Sequence, residues 1–253
     1  MRMNKRMRFI KAALMTLVIS IVFISATACN WRGDDWFGER GVDGSGRVVE
    51  EIRNVGTFNR VELHGAGRLY IDFGSVPSLR IVAEDNILPI IETRVEGDTL
   101  VVESDRSYNT EIGINIYINM TQVREFSLRG AWKVIGQAQF NADRLDLELT
   151  GAGQLDLDVD AKRIYSSISG AGDINLKGNA DLHELHISGV GSLDAYDLIV
   201  KDYIISISGA GSCHIFAGNS LDAHISGAGS IYYMGDPADV TSSITGTGKL
   251  VKK

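Results

Sequence analysis

The chain has 253 residues, a formal net charge of −7, 44% hydrophobic residues, and 28 glycines against three prolines and two cysteines. That balance excludes a wholly disordered or collagen-like chain, and two cysteines exclude a disulfide scaffold. The length allows one elongated domain or two small ones.

Arg2, Lys5, Arg6, Arg8 and Lys11 precede an apolar run that closes on the small residues Ala26-Thr27-Ala28. A basic segment, a short apolar segment and small residues at the cut predict a secretory signal over 1–28. A mature transmembrane helix needs about 20 apolar residues, more than this run supplies. Ala26-Thr27-Ala28-Cys29 resembles a bacterial lipobox, with Ala26 where Leu is usual. The resemblance implies that Cys29 is lipidated, so that the chain's first partner is a membrane. Two or more acyl chains anchor stably, at about 0.8 kcal/mol per buried CH₂. The implied location is the bacterial cell envelope, at the outer membrane, facing the periplasm or the exterior. Removing the signal's five basic residues takes the formal charge from −7 to −12. So acidic a chain gains nothing from phosphate backbones, and no nucleic-acid partner is expected. Residues 29–46, with Trp31, Trp36, Phe37, Asp34-Asp35 and repeated glycines, read as a tether ahead of a domain over 47–253.

From Arg47 to Asp105 the alternation of apolar and polar residues predicts strands around Val61-Glu62-Leu63, Leu69 to Phe73, Leu79 to Val82 and Thr99 to Val102. The last is entered through the turn Glu96-Gly97-Asp98, and Asn86 to Glu92 reads as a short helical turn or loop. These are expected to be the opening rungs of one continuous domain, with longer loops.

Beyond them a repeat decides the architecture. Gly-x-Gly begins at Gly151, Gly170, Gly189, Gly209, Gly227 and Gly246, in steps of 19, 19, 20, 18 and 19 residues. Gly130-Ala131-Trp132 is a decayed copy, and Gly65-Ala66-Gly67 stands further upstream. Apolar residues fall on every second position on both sides: Leu185 and Ile187 before Gly189, Leu193 and Ala195 after Gly191. Period two marks a strand with one buried face. Both glycines share the buried parity, so each is expected at a corner where a side chain would strike the core wall. Ordering one such unit costs about 20–40 kcal/mol in backbone entropy, while its four to six buried side chains return about 1.5–3 kcal/mol each. A single unit therefore cannot stand alone, whereas stacked units share backbone ladders and one core. The prediction is an all-β, single-stranded parallel β-helix with rungs of about 19 residues. A β-sandwich also alternates, but gives no reason for a glycine corner returning in register. The last residues, Lys249-Leu250-Val251-Lys252-Lys253, form no separate cap, and their lysines discourage end-to-end addition.

Gly56-Thr57-Phe58-Asn59-Arg60-Val61, Val82-Ala83-Glu84-Asp85-Asn86-Ile87-Leu88, Gly97-Asp98-Thr99-Leu100 and the recurring Ser-Gly-Ala-Gly motifs stand in a telling order. In that order they resemble the bacterial auto-transporter adhesin family called the head GIN domain, over about residues 47–250. The resemblance implies a right-handed β-helix on a secreted or lipid-anchored bacterial protein. The family's own activity is poorly defined.

Chemistry is sparse. Asp156, Asn175, Asp194 and His214 form an outward ladder in which acids alternate with an amide, so adjacent rungs offer no paired carboxylates; a solvated polar face is the plain reading. His183, His186, His214 and His224 do not share one repeated position, and no metal or cofactor is expected. Thr150, Ser169, Ser188, Ser208, Ser226 and Thr245 recur in every rung, which marks turn residues and not one special nucleophile. Cys213 takes a core position. Two functions follow: a non-catalytic adhesion, binding or structural module presenting polar faces to a polysaccharide or surface protein, or a glycan-active lyase or hydrolase using the β-helix groove. No rung breaks the repeat with clustered acids beside a cation, which favours the module. Trp132 and Lys133, read as an exposed aromatic beside a cation, together with Asp156, Asn175 and Asp194, are the candidate ligand-binding residues.

Overall fold

The structure, a computed structural model, describes residues 41–253; the signal, Cys29 and the tether up to residue 40 lie outside the described residues. The opening region contains β1 (Val42–Asp43), β2 (Val48–Arg53), β3 (Arg60–Phe73), β4 (Ser78–Glu84), a 3₁₀ turn (Leu88–Ile90), β5 (Ile91–Glu96), β6 (Thr99–Ser104), β7 (Tyr108–Asn109) and β8 (Asn115–Met120). The repeat region contains β9 (Glu125–Gly136), β10 (Phe140–Gly151), β11 (Gln154–Ile168), β12 (Asp173–Ile187), β13 (Ser192–Ile207), β14 (Ser212–Gly227), β15 (Ser230–Met234), β16 (Asp239–Gly246) and β17 (Lys249–Lys252). The described residues contain no α-helix.

From β9 onward every pairing is parallel, and the chain forms a β-solenoid of about seven turns. Between β11 and β12 the register is 19 residues throughout, Gln154 against Asp173 and Ile168 against Ile187. Next come bulges, where β12 meets β13 at Asn175/Gly178 and β13 meets β14 at Ala195/Ile199 and again at Val200/Asp202, and together these absorb the 20- and 18-residue steps. The core is a stack of inward columns; Leu149, Ile168, Ile187, Ile207 and Ile225 form one of them.

The glycine corners lie in one column, held by backbone bonds that repeat rung by rung: Ala171 N–H donates to Gly151 O (2.8 Å), Val190 to Gly170 (2.8 Å) and Ala210 to Gly189 (3.0 Å). The two glycines of each corner are needed for different reasons. A Cβ on the second would strike the core, as at Gly191, 2.6 Å from Ile168 Cγ2. On the first it would strike the rung beneath, as at Gly189, 2.2 Å from Gly170 O. The expectation that both face the core wall thus holds for the second glycine, while the first is dictated by axial stacking.

The opening region departs from simple rungs. β3 carries Gly65-Ala66-Gly67 and stacks in parallel on β9, with Gly65 against Gly130 and Gly67 against Trp132. Above it, β4 and β5 run antiparallel to β8 and β6, and β2 runs antiparallel to β4. These strands close the top of the core, with Leu88 and Ile90 of the 3₁₀ turn and the flanking Ile87 and Ile91 packed into it. At the other end, among the described residues, Val240 and Ile244 continue the inward columns of Leu221 and Ile225 and are 42% and 41% exposed.

Candidate functional site

Each rung has a second corner, opposite the glycines, where inward parity switches: Ala161 and Ile164 both face the core although three residues apart. Small residues at this bend make a trough of about 830 Å³ running along the solenoid axis. Ala142, Ala161 and Ala180, aligned in register, form its floor. One wall is the column Asn141, Asp160, Asn179 and Ile199. Opposite stand Asp143, Lys162, Asp181 and Lys201, in which Lys162 pairs with Asp143 and Lys201 with Asp181, each at 2.6 Å. The hydrogen bond from Lys162 and its charge lower the Asp143 pKa, and hydrogen bonding to Asp143 and Asp181, with their charge, raises those of Lys162 and Lys201. Arg124 and Arg144 edge the trough; Arg144 is held by Asp146 at 2.8 Å.

The candidate residues read from the sequence lie on the wall that follows the glycine corner. Trp132 requires a correction. It is 2% exposed and fills the interior where other rungs carry the second glycine, so no sugar can stack on it. A Cβ on Gly67 would lie 2.7 Å from its ring, and that absent side chain is what gives the indole its space. Lys133 does face outward, with its ammonium 3.6 Å from Asp156. Asp156, Asn175 and Asp194 are brought into one column, beside a shallower groove of about 350 Å³. Asn175 Nδ2 donates to Asp156 Oδ1 at 2.5 Å, so much of this ladder is spent on itself. Below Asp194 the column becomes aromatic, with His214 stacked on Tyr232 at 5.3 Å and Lys249 and Lys253 over the Tyr232 ring.

One serine–histidine pair and the Cys213 thiol lie inside the solenoid. Ser166 and His183 are hydrogen-bonded at 2.9 Å inside the solenoid, both fully buried. Burial pushes His183 down to about 3 and the Cys213 thiol up to about 12, leaving both neutral. Among the described residues no three His, Cys, Asp or Glu side chains gather as a metal site, and no helix is long and apolar enough to cross a membrane.

The family model described as "putative auto-transporter adhesin, head GIN domain" matches residues 57–237. The chain belongs to this family. Among solved structures it is similar to a protein from Bacteroides fragilis described as a putative adhesin, at 28% identity and a TM-score of 0.80, covering 84% of this chain and 100% of that one. A putative adhesin from Parabacteroides merdae shares the fold at 22% identity and a TM-score of 0.68, covering 84% and 99%. So does a protein from Parabacteroides distasonis described as a putative lipid binding protein, at 21% identity and 0.66, covering 85% and 100%. No curated protein matches the sequence. These relatives are described as adhesins or a lipid binder, not as enzymes.

In this head GIN chain the Glu84-Asp85-Asn86 motif fastens the segment that enters the domain. The buried Glu84 carboxylate accepts from Gly46 N–H (2.8 Å) and from the Thr110 hydroxyl. Asp85 accepts from Ser45 and Arg47, and Asn86 donates to Asp43 O (2.7 Å). Residues 41–46, expected as the end of the tether, are therefore part of the body, with β1 paired to β7. No apolar period marks so short a strand, and its partner lies 66 residues away.

Proposed function

We propose that the protein is a non-catalytic, adhesion-like module of the bacterial cell envelope, anchored through lipidated Cys29, that holds an extended polysaccharide in the trough of the second corner. The trough is the observation that carries this reading: a concave surface whose walls span four rungs, floored by small residues and walled by amides, carboxylates and ammoniums. Such a surface offers many weak hydrogen bonds to a long polar chain and no group poised to cleave it. Membership in a family described by adhesion supports the role, and the lipobox-like sequence supports the anchor. Relatives described as adhesins favour the surface or envelope.

A polysaccharide array probed with the full-length protein tests the binding. Binding that falls at least about tenfold in Lys162→Ala/Lys201→Ala is expected; binding that this variant leaves intact, or none at all, rejects the trough. Cys29→Ser is expected to move the protein from the membrane to the soluble fraction or leave it unprocessed. Unchanged partitioning with normal maturation contradicts the anchor.

A further inference from the structure

Resting on the trough as the binding surface, we propose that its ligand is an uncharged, extended β-1,4-linked glycan lying along the solenoid axis, one sugar per rung. Charge is the first reason. The Asp143–Lys162 and Asp181–Lys201 pairs neutralise one wall internally, Asp146 engages Arg144, and Arg124 and Asp160 contribute one charge of each sign. A balanced trough on a chain of formal charge −7 has no field to attract a polyanion, and the chain as a whole repels one. Its ionic groups still donate to and accept from hydroxyls.

Period is the second reason. Three of the four wall positions repeat every second rung, not every rung: Asp143 returns as Asp181, Lys162 as Lys201 and Asn141 as Asn179, while Ile199 stands where Asp160 would return. Two rungs span about 10 Å at strand spacing. A flat β-1,4-linked ribbon turns each sugar over relative to the last and so presents the same edge every second sugar, at about that interval. A coiled α-linked chain has no such straight two-sugar repeat.

The floor is the third reason. Ala142, Ala161 and Ala180 keep the bend free of bulk, Ala161 and Ala180 being buried, so a flat pyranose can lie between the rims, whose amides and carboxylates meet its equatorial hydroxyls.

Titration of the full-length protein in detergent with cello-, xylo- and manno-oligosaccharides of two, four and six sugars tests this. For at least one series, affinity is expected to rise about tenfold from dimer to tetramer and to change little from tetramer to hexamer, as four rungs fill. It should be the same at about 50 and about 500 mM salt, be absent for maltohexaose, and fall about tenfold in Asn141→Ala/Asn179→Ala, two exposed changes the fold tolerates. Tighter binding to an oligogalacturonate, or a loss on raising salt, overturns the neutral ligand while leaving the trough in place if the variant still loses affinity. Equal binding of maltohexaose overturns the ribbon. Failure of every series overturns the inference, and the array then decides separately whether the trough binds anything.

Discussion

Gly189 and Gly191 in the repeat region and Gly46 in the opening region meet opposite needs. At Gly189 and Gly191 the backbone is crowded: added Cβ atoms would lie 2.2 Å from a carbonyl oxygen and 2.6 Å from an isoleucine. At Gly46, in the segment clasped by Glu84, nothing lies within 4 Å, and the residue is needed only for its φ of +78°. Repetition makes each rung the wall against which the next is packed, so a corner has no freedom to relax. The lid is built once, from antiparallel strands and side-chain clamps, and a turn within it faces solvent.

Three changes separate these cases. The largest effect is expected for Gly189→Ala/Gly191→Ala, about 4 kcal/mol or more, because backbone on one side and a β-branched core residue on the other must both move. Denaturant unfolding measures it, and a loss below about 1 kcal/mol means that the corners are not tightly stacked. The second acts through protonation. His183 titrates near 6.5 when unfolded but is pushed down to about 3 in the solenoid, so only the unfolded chain takes up its proton between those values. Its contribution is fully present above pH 6.5 and is lost as pH falls, at up to about 1.4 kcal/mol per pH unit. Relative to wild type, His183→Leu, whose side chain matches Leu221 two rungs below in the same inward column, is expected to lose less stability between pH 6.5 and 4.5. Parallel pH profiles for the two proteins contradict a buried neutral imidazole. The smallest effect is expected for Gly46→Ala, about 1 kcal/mol of backbone strain with no steric clash. A loss as large as that at the double corner erases the distinction between the two regions.

Much of the architecture is legible in the sequence because stacking demands a fixed step. Glycines at 151, 170, 189, 209, 227 and 246 and the apolar alternation around them determine corner, rung length and core together. The parity signal also held the answer for Trp132: counted by twos, it falls with Leu128 and Val134, both buried. Its place beside Lys133 suggested a surface aromatic, but alternation takes precedence over adjacency in a strand. The trough carries a signal of the same kind, in Ala142, Ala161 and Ala180 at steps of 19 residues, yet alanine is too common to stand out as glycine does. Antiparallel pairing in the lid is harder to read, since alternation looks alike in either direction. Only the tight Glu96-Gly97-Asp98 turn betrays it, because parallel strands need a longer crossover. The clamp on residues 41–46 depends on single side chains meeting across long separations and leaves no periodic trace.

The stacked column of corners is tested most directly by a distance. Thr150→Cys and Thr245→Cys, in a Cys29→Ser background, place spin labels on the hydroxyl-bearing corner residues of two rungs five steps apart. Cys213 is buried with its thiol pushed up to about 12 and stays unlabelled. Five rungs at strand spacing put the two backbones about 24 Å apart although 95 residues separate them. A narrow pulsed-resonance distribution near that distance, widened only by the label arms, is the predicted result. A broad distribution, or one centred beyond about 40 Å, contradicts the solenoid.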